Sequence, residues 1–330
     1  MGERRQSPLN LSSLLAAVEA APPVAAVDVL ASALAEAIGA REVSFLIADF
    51  SGRSLIRLGH AGGKGRLQGK ETAERVPLVG TPHGRALAAQ AVEVIAEDRG
   101  ARLFAPVTSR GEAVGVLELG LEDFPVEQTV ADVALAAHFL AYVVIANRRY
   151  TDLFEWGQRS VPLSLAAEIQ HRLLPGAFTC EAGQFTLAAW LQPAGEIGGD
   201  TFDFSLDRDA LHVSMTDAMG HTMDAALLAT VLVGGLRNAR RQGVELAEQA
   251  RLANDALAKQ AGESQFVTGL VVRIDLRAAA AGIVNAGHPP PLRCGPGRSN
   301  EFIWRPTARS ACRPWAATGC KRCHWRWATG

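Results

Sequence analysis

The spacing of apolar positions along the chain changes period repeatedly, and each change marks a predicted element. Two helical stretches open it. The first runs from Leu11 to Ala20 with Asn10 or Ser12 as its cap, and the second from Val24 to Ala40, following Pro22-Pro23 and stopping near Gly39. Alternation takes over in REVSFLIADF and SLIRLGH, which the turn Ser51-Gly52-Arg53 joins into a hairpin; a polar stretch rich in glycine and lysine, Ala61 to Lys70, reads as a loop. RVPLVGTPHGRALAAQAVEVIAED predicts strand, turn, short helix and strand. LFAPVTSRGEAVGVLELGL predicts a second hairpin turning at Arg110-Gly111-Glu112, and residues 127–149 a long helix with an apolar face.

From Tyr150 to Leu174 the pattern stays largely helical, is interrupted at Pro162 and ends at Pro175, as expected of a connector. FTLAAWLQPA then reads as a strand. In LHVSMTDAMGH, Leu211, Val213 and Met215 alternate with His212, Ser214 and Thr216; this predicts a strand with one buried face, and places Asp217 on the apolar phase just before Gly220. Helices follow over Asp224 to Arg241 and Val244 to Gln260, the second with Leu246, Ala250, Ala253 and Leu257 on one face. Two strands close the pattern, FVTGLVVRIDL and GIVNAGHPPPL, the latter running into prolines.

A chain of 330 residues exceeds the size of one growing core, so two domains are expected; 48% apolar and 20% charged residues fit an ordinary globular protein. No apolar, uncharged run reaches eighteen residues, and Glu19 interrupts the N-terminal stretch too early for a signal-peptide core. The expectation is a cytoplasmic protein with no membrane segment. Lys and Arg (33) nearly balance Asp and Glu (34), which leaves no broad basic field for nucleic acid. The balance is uneven, however. Residues 301–330 carry six basic side chains against Glu301, which leaves 27 basic and 33 acidic residues before them; the same thirty residues hold four of the six tryptophans and three of the five cysteines.

Candidate chemistry lies where strands end in aspartates beside glycines, in GEIGGDTFDF (195–204) and TDAMGH (216–221). Hard divalent cations take such oxygens. Asp200 and Asp217, with a backbone carbonyl such as that of Ala218, would supply the one or two carboxylates that Mg²⁺ or Mn²⁺ takes while keeping several waters. Asp and Gly are also ordinary turn formers. Asp203 is open to either reading, as a helper of the first aspartate or as a solvent-facing residue, and His288, before three prolines, reads more readily as packed in a turn than as a proton donor.

Two resemblances organise these pieces. Pro77-Leu78, Gly84, Ala105-Pro106-Val107, the Arg110-Gly111-Glu112 turn and Gly115-Val116-Leu117-Glu118-Leu119 resemble a GAF domain over residues 10–150. That implies a sensory module that cups a small ligand or pairs subunits as a homodimer, and a thioether-linked cofactor is not expected because no cysteine precedes Cys180. AEIQHRLLP (167–175), GEIGGDTFDF, TDAMGHTMDAALLAT (216–230), FVTGLVVRIDL (266–276) and NAGHPPPL (285–292) together resemble the SpoIIE-like branch of the PPM metal-dependent serine/threonine phosphatases.

The expected fold class is therefore α+β: a GAF-type sensor domain (10–150), a helical linker (151–175), an αββα-sandwich phosphatase domain (176–293), incomplete at its C-terminus, and an atypical tail (294–330). By the resemblance, Asp217 bridges two Mn²⁺ or Mg²⁺ ions, Ala218 gives its carbonyl and Asp200 is the acidic residue of the first metal motif. The metals lower the pKa of a water that attacks phosphorus and neutralise charge on the transferring group. GAF and phosphatase domains in this order are common in partner-switching regulators, so the implied substrate is a phosphorylated STAS-type anti-sigma-factor antagonist.

After Leu292 the resemblance breaks. The family continues with a Pro-Leu-Gly element, a Gly-Asp and a Tyr-Thr-Asp-Gly motif carrying a further metal-binding Asp, but this chain reads RPTARSACRPWAATGCKRCHWRWATG. G/C-rich codons read two bases further on from Cys312 permit PPLGRDRLQALPLALGDR, so the tail is expected to be an out-of-frame product and the chain a weak or inactive phosphatase. Cys320-Lys321-Arg322-Cys323-His324 has the pattern of c-type haem attachment, and Cys312 adds nearly zinc-ligand spacing. Haem attachment needs export, which the N-terminus does not suggest, and an accidental motif in a short Arg/Trp-rich tail is the preferred reading.

Overall fold

The computed structural model of the protein describes residues 9–61, 74–159, 162–191, 199–262, 264–278, 280–295 and 298–301. The loop expected at Ala61 to Lys70, the glycines at the start of GEIGGDTFDF and nearly all of the tail, with its cysteine motif, lie outside these residues. The chain divides into two compact units, Met1–Pro162 with Thr179–Ala182, and Leu163–Phe178 with Gly183–Gly330.

In the first unit, helix α1 (Leu11–Ala20) starts at Asn10, whose Oδ1 accepts from the amides of Ser12 and Ser13 and so satisfies two of the helix's unpaired N-terminal donors. Helix α2 (Ala26–Ile38) follows, then β1 (Glu42–Ala48), β2 (Ser54–Ala61), β3 (Arg75–Pro77), helix α3 (Pro82–Ala89), β4 (Glu93–Ala96), β5 (Ala101–Ser109), β6 (Glu112–Leu121) and helix α4 (Glu127–Asn147). Both predicted hairpins form, β1 with β2 and β5 with β6, within one antiparallel sheet of order β3-β2-β1-β6-β5-β4.

Because side chains alternate along each strand, the sheet has two different faces. Val43, Phe45, Ile47, Leu103, Leu117 and Leu119 pack with the buried sides of α2 and α4. On the other face, Leu46, Leu55, Phe104 and Val116 pack with Ala86 of α3. Among the described residues α4 is the one helix long and apolar enough to cross a membrane; its Val133, Ala136, Ala137, Leu140, Ala141 and Val144 belong to this core instead. The short α5 (Leu153–Gly157) ends the first part of the unit, and β7 (Thr179–Glu181) is its separate later piece.

The second unit begins with α6 (Leu165–Leu173), capped by the Ser164 hydroxyl on the Ala167 amide. The predicted strand FTLAAWLQPA shrinks to β8 (Thr186–Ala188). Then come β9 (Gly199–Leu206), β10 (Ala210–Ala218), α7 (Met223–Arg241), α8 (Leu246–Ala258), β11 (Val267–Asp275), β12 (Ala280–Ala286), β13 (Leu292–Gly295) and β14 (Arg298–Glu301). The four longer strands form one antiparallel sheet of order β12-β11-β10-β9, and β13 pairs with β14. Helices α7 and α8 cover one face through Leu228, Leu232, Leu236, Ala253 and Leu257, against Ala218, Val267, Val271 and Val284. Among the described residues this amounts to a sheet with a helical cover on one side, half of the expected αββα sandwich.

That arrangement reverses the face predicted for β10. His212, Ser214, Thr216 and Ala218 are buried, whereas Met215 is 51% exposed and Asp217 is exposed with it. The helices lie on the face made of small residues, where the backbones can approach closely. On this face the Thr201 and Thr216 hydroxyls are 2.5 Å apart and bond each other. The apolar alternation of Leu211, Val213 and Met215 marks the opposite face instead, and Asp217 belongs to it.

Candidate metal centre

The β9–β10 hairpin sets the site. Its register pairs Leu211 with Leu206 at the turn end and runs to Thr216 with Thr201, Asp217 with Asp200, and Ala218 with Gly199. Directly opposed residues of an antiparallel pair share a face at a Cβ separation of about 5 Å. Two carboxylates are thereby brought together by backbone pairing alone. Partial burial, then the charge of Asp217 and a hydrogen bond shared with it, push the Asp200 carboxyl above its ordinary range, while His288 opposes the shift.

Close strand approach at this end depends on Gly199, where a Cβ would lie 2.4 Å from the Ala218 carbonyl oxygen and 2.5 Å from its Cβ. Beyond Ala218 the chain turns at Gly220, whose φ of 95° favours glycine, and enters α7 at Met223. Thr222, just before it, is extended and serves as the N-cap residue of α7.

The row continues across the sheet. Thr268 of β11 pairs with Asp217, and its hydroxyl is 3.0 Å from His288 Nδ1. His288 is held by its own turn, where its amide donates to Asn285 Oδ1 and its carbonyl accepts from Asn285 Nδ2, both at 2.8 Å. It is thus a turn residue whose ring also faces the site.

Asp203 takes neither of the roles open to it in the sequence. It lies three positions beyond Asp200 in the strand, so it points to the opposite, helix-covered face. There it is 4% exposed and receives Arg237 (Nη2 2.8 Å, Nε 3.2 Å) and Arg240 (Nη1 3.0 Å) from α7. Arg237 also donates to the Leu173 carbonyl at 2.6 Å, which joins α6, β9 and α7 through one guanidinium. Asp203 is a structural anchor.

One contributor to the site was not apparent in the sequence. Gln170 of α6 is buried, and its Nε2 donates to the Asp200 backbone carbonyl at 2.5 Å. Its Oε1 is buried without a partner. AEIQHRLLP signalled the helix, but nothing in that stretch shows which strand its glutamine reaches.

The donor set suits a hard cation as far as it goes. Two facing carboxylates repel each other, and a cation between them would offset the Asp217 charge that, after burial, raises Asp200; the carbonyl of Ala218 is a further oxygen at the same strand end. Among the described residues no group of three or more His, Cys, Asp or Glu side chains is arranged to hold a metal. The site as described therefore has two protein carboxylates.

Comparison with known proteins gives a family-level match to SpoIIE/PPM-like phosphatase domains: residues 207–309 match the family model for stage II sporulation protein E. Among individual proteins, the phosphoserine phosphatase RsbU of Bacillus subtilis is 21% identical over 128 residues, covering 39% of this chain and 38% of RsbU. The chain thus aligns with little more than a third of that relative's length. The RsbU and RsbW domains of Rv1364c from Mycobacterium tuberculosis are similar at 30% identity, covering 30% of this chain and 28% of that one, with a TM-score of 0.28. A GAF domain from a Coxiella burnetii phosphoenolpyruvate-protein phosphotransferase is similar at 20% identity, covering 42% of this chain and 92% of that one, with a TM-score of 0.38.

Proposed function

We propose that the second unit is a metal-dependent phosphoserine/phosphothreonine protein phosphatase and that residues 10–150 form a GAF-type sensor regulating it, with residues 151–175 as linker. The observation that carries this reading is the Asp200–Asp217 pair, two carboxylates directly opposed at one strand end and with one of them held above its ordinary pKa. The match of residues 207–309 and the similarity to RsbU, a phosphoserine phosphatase, support it.

Asp200, Asp217 and the Ala218 carbonyl would hold Mn²⁺ or Mg²⁺, two ions by family resemblance. When bound, the cations supply Lewis-acid neutralisation of phosphoryl charge and acidify water for hydrolysis. The chain's own groups prepare that chemistry: the β9–β10 ladder fixes both carboxylates, Gln170 holds the Asp200 backbone, and the Asn285 clamp holds His288 facing the anionic side of the site. The natural substrate in this reading is a phosphorylated STAS-type anti-sigma-factor antagonist in a cytoplasmic partner-switching pathway, and a small-molecule ligand of the sensor would set the activity.

A second reading rests on the small donor set among the described residues, namely a sensor and binding module that engages partners without turnover. Manganese-dependent hydrolysis of p-nitrophenyl phosphate, abolished by Asp217→Ala with the fold intact, decides for the enzyme. Absence of turnover by a folded chain at millimolar Mn²⁺ decides for the binding module.

A further inference from the structure

His288 is held more firmly than a half-buried turn residue needs to be. Gly287, at φ 75°, turns the chain out of β12 in the left-handed region that favours glycine, and its backbone bridges to Gly269 of β11. Pro289 then biases the His288 backbone toward extended conformations. Asn285 is 5% exposed and spends both ends of its amide on the His288 backbone. All of this fixes the backbone. Among the described residues the ring itself has one hydrogen bond, between Nδ1 and the Thr268 hydroxyl, and Nε2 has none.

That one bond decides what the free nitrogen can do. A neutral imidazole has one N–H and one lone pair, and the bond made at one nitrogen fixes the role of the other. Among the described residues the Thr268 hydroxyl meets no acceptor besides Nδ1, so its proton goes there and Nε2 carries the ring's N–H. A nitrogen in that state has no lone pair for a cation. It can donate a hydrogen bond to an anion. Thr268 lies directly opposite Asp217, and Asp217 opposite Asp200, so the ring stands at the β11 end of the carboxylate row. It bonds neither carboxylate, yet it is near enough to act on Asp200 electrostatically; among the described residues no Lys or Arg does so. An anion drawn to cations in this row therefore finds its side-chain donor in His288.

We infer that His288 is a substrate-binding residue: its Nε2–H donates to a non-bridging oxygen of the substrate's phosphoryl group, and Thr268 is the positioning residue that holds the ring in this tautomer. The role is hydrogen-bond donation, with no proton transferred. It rests on the proposed metal-dependent phosphatase and assigns one phosphoryl oxygen to the protein.

The test uses the full chain. In EDTA at about pH 8.5, long-range proton–nitrogen spectra of histidine-labelled protein should show His288 as the Nε2–H tautomer, its signals identified by their loss in His288→Ala. Thr268→Val, which keeps the ring and removes its partner, should mix the two tautomers. Calorimetry at saturating Mn²⁺ should find inorganic phosphate bound about tenfold more weakly by His288→Ala, the size of one hydrogen bond to a charged group. Mn²⁺ affinity itself should change less than about twofold. His288→Gln, whose amide places a donor near the position of Nε2, should recover part of the loss. The Asn285 clamp grips backbone atoms of His288, so these variants keep the turn. An Nδ1–H tautomer in the parent, a tautomer unmoved by Thr268→Val, a parallel fall in Mn²⁺ affinity, or a parent that binds Mn²⁺ without phosphate would overturn the inference and leave the metal site in place. So would phosphate binding indifferent to His288→Ala. A parent chain with no Mn²⁺ affinity would overturn both.

Discussion

Asp217 faces Asp200 across the β9–β10 ladder, and the two like charges meet with Thr201 and Thr216 bonded to each other on the reverse side of the neighbouring pair. Such a pair is unfavourable without a cation. Opposed like charges on a sheet surface cost about 0.2–1 kcal/mol, here toward the lower end because solvent screens an exposed pair. In EDTA at neutral pH, Asp217→Asn should therefore raise the urea midpoint of the second unit slightly. Because the folded pKa of Asp200 lies above its ordinary value, its stabilising effect is present at low pH and lost as pH rises through that folded pKa. The parent should lose stability relative to Asp217→Asn on going from pH 3.5 to 6, and Mn²⁺ should reverse the order. Equal midpoints at every pH would contradict the pairing.

Asp203 lies three residues from Asp200 yet should behave oppositely. Asp203→Asn leaves Arg237 and Arg240 with a neutral partner in a buried place, a change that typically costs about 3 kcal/mol. Chemical denaturation should show that loss, whereas calorimetric Mn²⁺ binding to the remaining folded protein should change less than twofold, on the order of the scatter for sites without a shared partner. A selective loss of Mn²⁺ binding at full stability would return Asp203 to the metal site.

These two aspartates show how far the sequence could be read. The strands, the hairpin turns, the cap at Asn10 and the aspartates at strand ends all follow from local pattern, because turn chemistry and alternation are local. The choice of covered face is not local. Leu211, Val213 and Met215 look like a core stripe, but α7 and α8 settle on the small-residue face through Ala218 and Val271. Likewise, the ion pairs from Asp203 to Arg237 and Arg240 span 34 and 37 residues, and Gln170 reaches Asp200 across 30; no periodicity within one element encodes such a partner.

Glu118 is the corresponding surprise of the first unit, a carboxylate inside the apolar strand GVLEL. Burial alone would raise its pKa, but the hydrogen bond from His83, the charge of Arg57 and the hydrogen bond from Arg102 outweigh that and hold it down at about 2. Its contribution to stability is complete above the ordinary 4.5 and is lost as pH falls from there toward 2. Glu118→Gln should destabilise the first unit by about 3 kcal/mol at pH 7, and the difference from the parent should shrink between pH 4.5 and 2. A pH-independent difference measured by denaturant titration would show that packing, rather than charge, is what the carboxylate provides.

His212 carries the opposite dependence. It is buried against the helical cover, and burial, followed by the charges of Arg240 and Arg273, lowers its pKa, with Asp207 opposing; its Nδ1 has no partner. A lowered base is neutral when folded, so the second unit should lose stability as pH falls below about 6.5, where the unfolded chain takes up the proton. Replacement by Gln should flatten the profile between pH 7 and 5 while leaving the first unit's transition unmoved. A parent profile already flat over that window would rule this out.

Gln170 separates positioning from stability. Its amide nitrogen holds the Asp200 carbonyl at 2.5 Å, but its oxygen is buried with no partner, so the residue brings one good bond and one unsatisfied acceptor. Gln170→Met keeps the shape, removes both, and should change folding stability by less than about 1 kcal/mol because the two effects oppose. The Asp200 backbone, however, loses the tether that fixes it against α6. Metal ligands depend on such supporting contacts, and their loss commonly weakens binding by about 10- to 100-fold. Calorimetry should therefore find Mn²⁺ bound more weakly by Gln170→Met at nearly unchanged urea midpoint, with Gln170→Glu binding better than Met only where the carboxyl is protonated and can still donate. Parallel loss of stability and affinity would instead make Gln170 an ordinary core residue of α6.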